Sequence, residues 1–185
     1  YGYAAAGPMP LADINFYNKI SDTDFRKLSW KAPAGSVLEG KNTYIDTATG
    51  AALPEYASLK FRPGSGNMSD FNVGSACSYP MMRVEEMYFI EAEAAAQQNP
   101  AQGVNLLNDF MSNYRDPQYK CTKSSKEDVV KEIVFQKRVE LWGEGQSFFD
   151  IKRLNLPVTR GYAGTLHHTI GRFNTTTRPA WMNFC

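Results

Sequence analysis

The chain has 185 residues, 43% hydrophobic and 13% aromatic, with 20 basic and 19 acidic side chains and a net charge of +1. This composition can build a sizeable core and excludes wholesale disorder. The charge balance, with basic residues spread along the chain, leaves no electrostatic footprint for nucleic acid or an anionic membrane surface. No apolar run approaches the roughly 20 residues of a transmembrane helix, and no secretory signal opens the chain. The start, Tyr1-Gly2-Tyr3-Ala4-Ala5-Ala6, reads as a cut from a longer chain.

Residues 1–80 read as a loop-rich segment with short helices and strands. A short helix is expected over Leu11–Ile20, and a turn of helix after the Ser21 and Asp24 caps. Trp30 and the loop around Pro33 follow. Thr43–Thr47 and Leu59–Phe61 are expected as short strands. The Gly/Ser-rich run from Pro63 continues as loop to Pro80.

Helical character rises sharply at residues 81–154, which read as a hub. Met82–Gln98 contains strong helix formers and no Gly or Pro until Asn99-Pro100. Apolar residues occur on two stripes, one with Val84, Met87 and Tyr88, the other with Ile90 and the neighbouring Phe89, so burial on most sides is expected. The alanines from Ala92 to Ala96 leave room for a neighbouring helix. Pro100 begins a second helix with the stripe Val104, Leu107, Met111 and Tyr114, ended by Asp116-Pro117. The short link makes the two an antiparallel hairpin. Capping boxes at Ser124 and Ser125 start a third helix, predicted to bury Val130, Ile133, Val134 and Leu141 and to stop at Gly145. A last turn or two spans Phe148–Leu154. Residues 155–185 read as irregular. The fold class is mainly α, with tetratricopeptide-like helical hairpins that lack the usual Trp-Leu-Gly-Tyr signature. Val84, Met87, Ile90, Leu107, Ile133 and Leu141 are expected to be nearly inaccessible.

The carboxylates Glu86 and Glu93, or Glu140 and Glu144, invite comparison with a glycosidase acid/base pair. Cleavage needs two carboxyls facing each other across a cleft, which one helix face in a hub does not supply. Basic partners stand nearby in Arg83, Lys137, Arg138 and Arg153, with Asp150 beside Arg153. Structural ion pairing is the expected role, because unpaired buried charge is expensive. No catalytic residue is assigned. The cysteines Cys77, Cys121 and Cys185 lack metal-ligand spacing, and His167-His168 has no third ligand within a few residues. No nucleotide fingerprint or nucleophile elbow occurs, so no metal or cofactor is expected.

Two blocks carry a family resemblance. The first runs Arg83-x-x-Glu86, then Glu93-Ala94, then Asn108. The second is Arg138-Val139-Glu140-Leu141, Glu144-Gly145, Phe149-Asp150 and Arg153. In this order and spacing they resemble the C-terminal part of SusD/RagB-family proteins, with Asp24-Phe25-Arg26 and Lys60-Phe61 also matching upstream. Gln136 and Ser147 depart from the family's glutamate and arginine, and the arginine of the asparagine helix is displaced to Arg115.

The resemblance implies a SusD-like fold and a non-enzymatic, surface-exposed outer-membrane lipoprotein. Such a protein binds oligosaccharides or other nutrients and delivers them to a TonB-dependent transporter. It also implies that the chain is a C-terminal part, with helical repeats and the lipid anchor on the missing N-terminus. Sugar recognition uses aromatic faces beside hydrogen-bonding side chains, which the first 80 residues offer. Trp30 and Tyr44, whose sequence neighbours are polar or turn-forming and suggest exposed rings, are the foremost candidates for ligand binding, with Tyr17 and Asn42 beside them. A helical-repeat scaffold for another protein is the alternative, and a glycosidase the third reading.

Overall fold

The protein is described here by a computed structural model, over residues 10–42, 53–60 and 80–184. It divides into two compact units, Tyr1–Tyr79 and Pro80–Cys185. Among the described residues the regular structure is helical, with five α-helices and only isolated β-bridges.

In the first unit, helix α1 covers Ile14–Asn18 and opens at Asp13, whose carboxylate accepts a hydrogen bond from the Phe16 N–H at 3.0 Å. The helix is shorter than the Leu11–Ile20 expected because extended pairing claims the preceding backbone. Leu11 bridges Ala57, and the Ala12 N–H donates to the Tyr56 carbonyl at 2.9 Å. A 3-10 helix follows at Phe25–Ser29, where the Asp24 carboxylate accepts from the Arg26 N–H at 2.9 Å. Trp30 then bridges Ser58. Residues 56–59 thus lie between two other stretches, with the Ser58 N–H donating to Pro10 and the Leu59 N–H to Ser29. The strand expected at Leu59–Phe61 is replaced by these single bridges at Ala57 and Ser58, and Phe61 and the expected strand Thr43–Thr47 lie outside the described residues.

In the second unit, α2 (Val84–Gln98) and α3 (Pro100–Tyr114) are joined by Asn99 alone. The Asn99 side chain caps α3 by accepting from the Ala101 N–H at 3.1 Å, and Pro100 takes the first helical position, where its missing N–H is harmless. One linking residue leaves the helices no choice but to fold back on each other. Helix α4 (Lys126–Glu140) starts at Ser125, whose hydroxyl accepts from the Asp128 N–H at 3.2 Å. It ends before Gly145, the end expected from sequence. Gly143 adopts φ 78° and Gly145 φ 86°, left-handed values that stop an α-helix. Helix α5 covers Gln146–Arg153. Beyond it, Thr159 bridges Asn174 and a 3-10 turn forms at Thr169–Gly171. No helix among the described residues is long and apolar enough to cross a membrane.

The core of this unit gathers Phe89, Ala92 and Ala96 of α2, Leu107, Phe110 and Met111 of α3, and Val129, Ile133 and Val134 of α4. Leu107, Ile133 and Leu141 are buried, but Val84, Met87 and Ile90 are 64%, 46% and 46% exposed. The burial expected for these three is corrected, and the alanines give the reason. Where α3 crosses α2, a Cβ on Gly103 would fall 2.5 Å from Ala96 Cβ and 2.8 Å from the Ala92 carbonyl oxygen. Backbones that approach this closely select the small-residue face of α2. Phe89 and Glu93 turn inward with it, and the bulkier stripes stay outside.

Candidate functional site

The charged side chains of the second unit form two groups. In the first, Arg83 is the N-cap residue of α2: its carbonyl accepts from the Glu86 N–H at 3.1 Å, and its side chain, making no cap hydrogen bond, is left for other partners. Its guanidinium grips both Glu144 oxygens, at 2.9 and 3.1 Å, and also reaches Glu140 Oε1 at 3.1 Å and the Glu140 carbonyl at 2.8 Å. From the end of α3, Arg115 takes both Glu140 oxygens, at 2.7 and 3.0 Å, and Glu85 at 3.1 Å. Burial would lower the pKa of either arginine. The hydrogen bonds and charges of Glu144 and Glu140 outweigh it for Arg83, and those of Glu140 and Glu85 outweigh it for Arg115, so both stand above the ordinary value. The group ties the start of α2, the end of α3 and the end of α4 together.

In the second group, Arg153 of α5 makes a two-pronged pair with Glu93 of α2, at 2.6 and 2.7 Å. Its Nε donates to Asp150 at 2.8 Å, and Lys137 of α4 reaches the same Asp150 oxygen at 3.2 Å. The Glu93 hydrogen bonds, opposed by burial and helped by Asp150, raise the Arg153 pKa further.

Glu86, expected among the ion pairs, makes none among the described residues, and Glu85 stands in its place. One residue of helix is a rotation of about 100°, and the Ala92/Ala96 face sets that rotation. Arg138 lies on the exposed side of α4, and the donors that hold these carboxylates include Arg83, Arg115, Lys137 and Arg153. From sequence, Glu85 is not among the expected ion-pairing residues and Arg115 stands only as a displaced arginine. Its place one residue past the Tyr114 end of the helix stripe was the available signal. The neutral Gln136 amide donates to the Glu132 carboxylate at 2.9 Å, where a glutamate would add another charge.

In the first unit, Trp30 is 1% exposed and Tyr17 2%. Phe16 and Tyr17 meet Trp30 edge-on, with centroids at 5.7 and 6.4 Å, and Tyr56 meets Tyr17 edge-on at 5.2 Å. Both rings are core side chains in this arrangement and present no open face to a sugar. The polar neighbours that suggested exposure around Trp30 are themselves folded inward. Lys27 is buried with its ammonium on the Ile20 carbonyl at 2.8 Å, on Asp22 at 2.7 Å and over the Tyr17 ring. The Asn42 amide donates to the Leu28 carbonyl, closing a loop. Tyr44 lies outside the described residues.

The chemistry available is correspondingly limited. Glu93, Glu140 and Glu144 are occupied by guanidinium groups, so they offer no free acid/base pair across a cleft. Of the adjacent histidines, His168 turns back to accept from the Ile170 N–H at 3.4 Å. Asn108 works as a brace: its side chain accepts from the Cys121 N–H at 2.7 Å and donates to the Cys121 carbonyl at 3.3 Å, as a paired backbone would. This fixes the return of the chain from α3 toward α4.

The paired blocks Arg83–Glu144 and Glu93–Arg153 join segments some sixty residues apart, and the profile of the SusD family matches residues 26–183. The chain belongs to the SusD family. Among solved structures it is similar to a SusD-like carbohydrate binding protein from Bacteroides vulgatus ATCC 8482, with 27% identity and a TM-score of 0.58. The similarity covers 91% of this chain and 33% of that one, so this SusD-family chain spans about a third of that protein's length. No curated protein matches it.

Proposed function

We propose that this SusD-family chain is the C-terminal part of a surface glycan-binding protein that hands oligosaccharides to a TonB-dependent outer-membrane transporter, held at the membrane by a lipid anchor elsewhere in the protein. The observation that carries the reading is the family match over residues 26–183, joined to the similarity with a carbohydrate binding protein. The reading is of a binding protein without catalysis, and the occupation of Glu93, Glu140 and Glu144 by arginines supports it. Hub helices fastened by ion pairs suit a rigid scaffold, with ligand contacts supplied by loops. Tyr44 remains a proposed stacking residue, whereas Trp30 and Tyr17 are buried in the core of the first unit. Isothermal titration of the full-length protein against a panel of polysaccharides tests the reading: binding without release of reducing sugar is expected. Release of reducing sugar, or binding to none of the panel, overturns it. Transport is tested separately, by co-purification of the full-length protein with a TonB-dependent transporter.

A further inference from the structure

Helix α2 is apolar on two sides, and only one of them is covered. Phe89, Ala92 and Ala96 face α3 and α4 in the core. At about 100° per residue, Met87 and Ile90 turn away from that core with Ala94 between them, and each stands 46% exposed. In the half-circle facing away from the core the only charged residue is Glu91. At the margin toward α3, Tyr88 stacks on Phe110 at 5.1 Å, and the exposed Tyr114 tilts against the same ring at 5.8 Å. The apolar face therefore continues from α2 onto the rim of α3. A helix that is apolar all round belongs inside a structure, and a contiguous exposed apolar surface marks a place of contact.

Two observations choose the occupant. The first is length. The similarity to the SusD-like carbohydrate binding protein covers 91% of this chain and 33% of that one, so the relative carries polypeptide for which this chain has no counterpart. The second is Glu91, the central residue of Val84–Gln98. A twofold contact of α2 with α2 of another copy would bring the two Glu91 carboxylates together across the axis, and like charges facing each other in an interface are costly. A different segment can set apolar side chains on Met87 and Ile90 and a basic one on Glu91. The helical ridge, with the small Ala94 as a groove between larger side chains, fits another helix.

We infer that the outer face of α2 seats a helix from the polypeptide that precedes Tyr1 in the full-length protein, with a lysine or arginine of that helix paired to Glu91. The inference rests on the reading of this chain as a C-terminal part and names the face by which it joins the remainder.

Photo-crosslinking of the full-length protein tests it, with photo-methionine, a near-isosteric diazirine, in place of methionine. Peptide mass spectrometry should find Met87 joined to a peptide from before Tyr1. Glu91→Lys should lose most of that crosslink. Replacing the basic residue beside the crosslinked position with glutamate should restore it, a reciprocal rescue that general destabilisation would not produce. Met87 joined to a second copy, recognised by mixing light and heavy protein, overturns the inference. So does Met87 joined only to residues 1–79 or only to solvent, or a crosslink undiminished in Glu91→Lys. These outcomes leave the glycan reading intact, because saccharide titration decides that separately. A full-length protein with no polypeptide before Tyr1 removes the C-terminal-part reading and the inference with it.

Discussion

Gly103 of α3 lies against Ala96 of α2 so closely that a methyl group on Gly103 would sit 2.5 Å from the Ala96 Cβ. Glycine inside a helix is ordinarily a loss of about 1 kcal/mol relative to alanine, so an isolated α3 would gain from Gly103→Ala. In the hairpin the sign reverses. The atoms met include the Ala92 carbonyl and the Ala96 Cα, and backbone cannot rotate away as a long side chain would. Gly103→Ala should therefore destabilise the protein by roughly 1–3 kcal/mol, the range for overpacking. Urea unfolding measures it, and a stabilised variant would mean the helices do not touch at this point.

Burial divides the apolar residues of the hub into two classes with different responses. Leu107 is 1% exposed, and Leu107→Ala should lose ~2–5 kcal/mol through lost transfer energy and the cavity left behind. Val84 is 64% exposed, and Val84→Ala should change stability by less than about 0.5 kcal/mol. Equal losses at the two positions would return Val84 to the core.

Glu140 is gripped from both sides by Arg83 and Arg115. Arg115→Ala takes from a buried carboxylate one of the guanidiniums that grip it, and a loss of about 2–3 kcal/mol is expected, below the roughly 3–5 kcal/mol of a fully broken buried pair. Adding Glu140→Gln should recover part of it, a coupling that a double-mutant cycle reads directly. The pH dependence has a definite sign. Both arginine pKa values are raised by folding, so this stability is complete below the unfolded value and is lost only as pH rises through the folded one. The gap between wild type and Arg115→Ala should stay flat from about pH 6 to 10, as far as the arginines control it.

Tyr17 carries a buried hydroxyl without a hydrogen-bond partner among the described residues. Burial first, then the Asp22 carboxylate and Tyr56, push its pKa up to about 12. A raised folded-state value means stability that is intact below the unfolded pKa near 10 and drains away as pH climbs from there toward 12. Tyr17→Phe should be neutral or stabilising by up to about 1 kcal/mol at pH 7, because it removes an unsatisfied group. It should also flatten the alkaline arm of a melting-temperature profile. Trp30→Ala, by contrast, should lose about 3–5 kcal/mol as a deleted core aromatic. A Trp30→Ala protein that melts normally but binds glycan weakly would place the ring at the ligand.

Helix positions at the hub were legible because local chemistry fixes them. Asn99-Pro100 and Ser125 mark starts whatever surrounds them, since caps and proline act on their own backbone. The hairpin followed from the single linking residue, and the family from side chains whose order and spacing are properties of the chain. Which face of α2 turned inward was not legible. Val84, Met87 and Ile90 offer more apolar area than Ala92 and Ala96, and burial counted residue by residue favours them. Only the crossing of two backbones at Gly103 made small size decisive, drawing in Phe89 and Glu93 and putting Glu85 rather than Glu86 beside Arg115. The first unit repeats the lesson at Trp30. Its polar and turn-forming neighbours suggested an exposed ring, but Lys27 folds its ammonium onto the Ile20 carbonyl and Asp22, and Phe16 and Tyr17 close over the indole edge-on. Neighbours in sequence state what a side chain can do, and long-range contacts determine which of those options the folded chain uses.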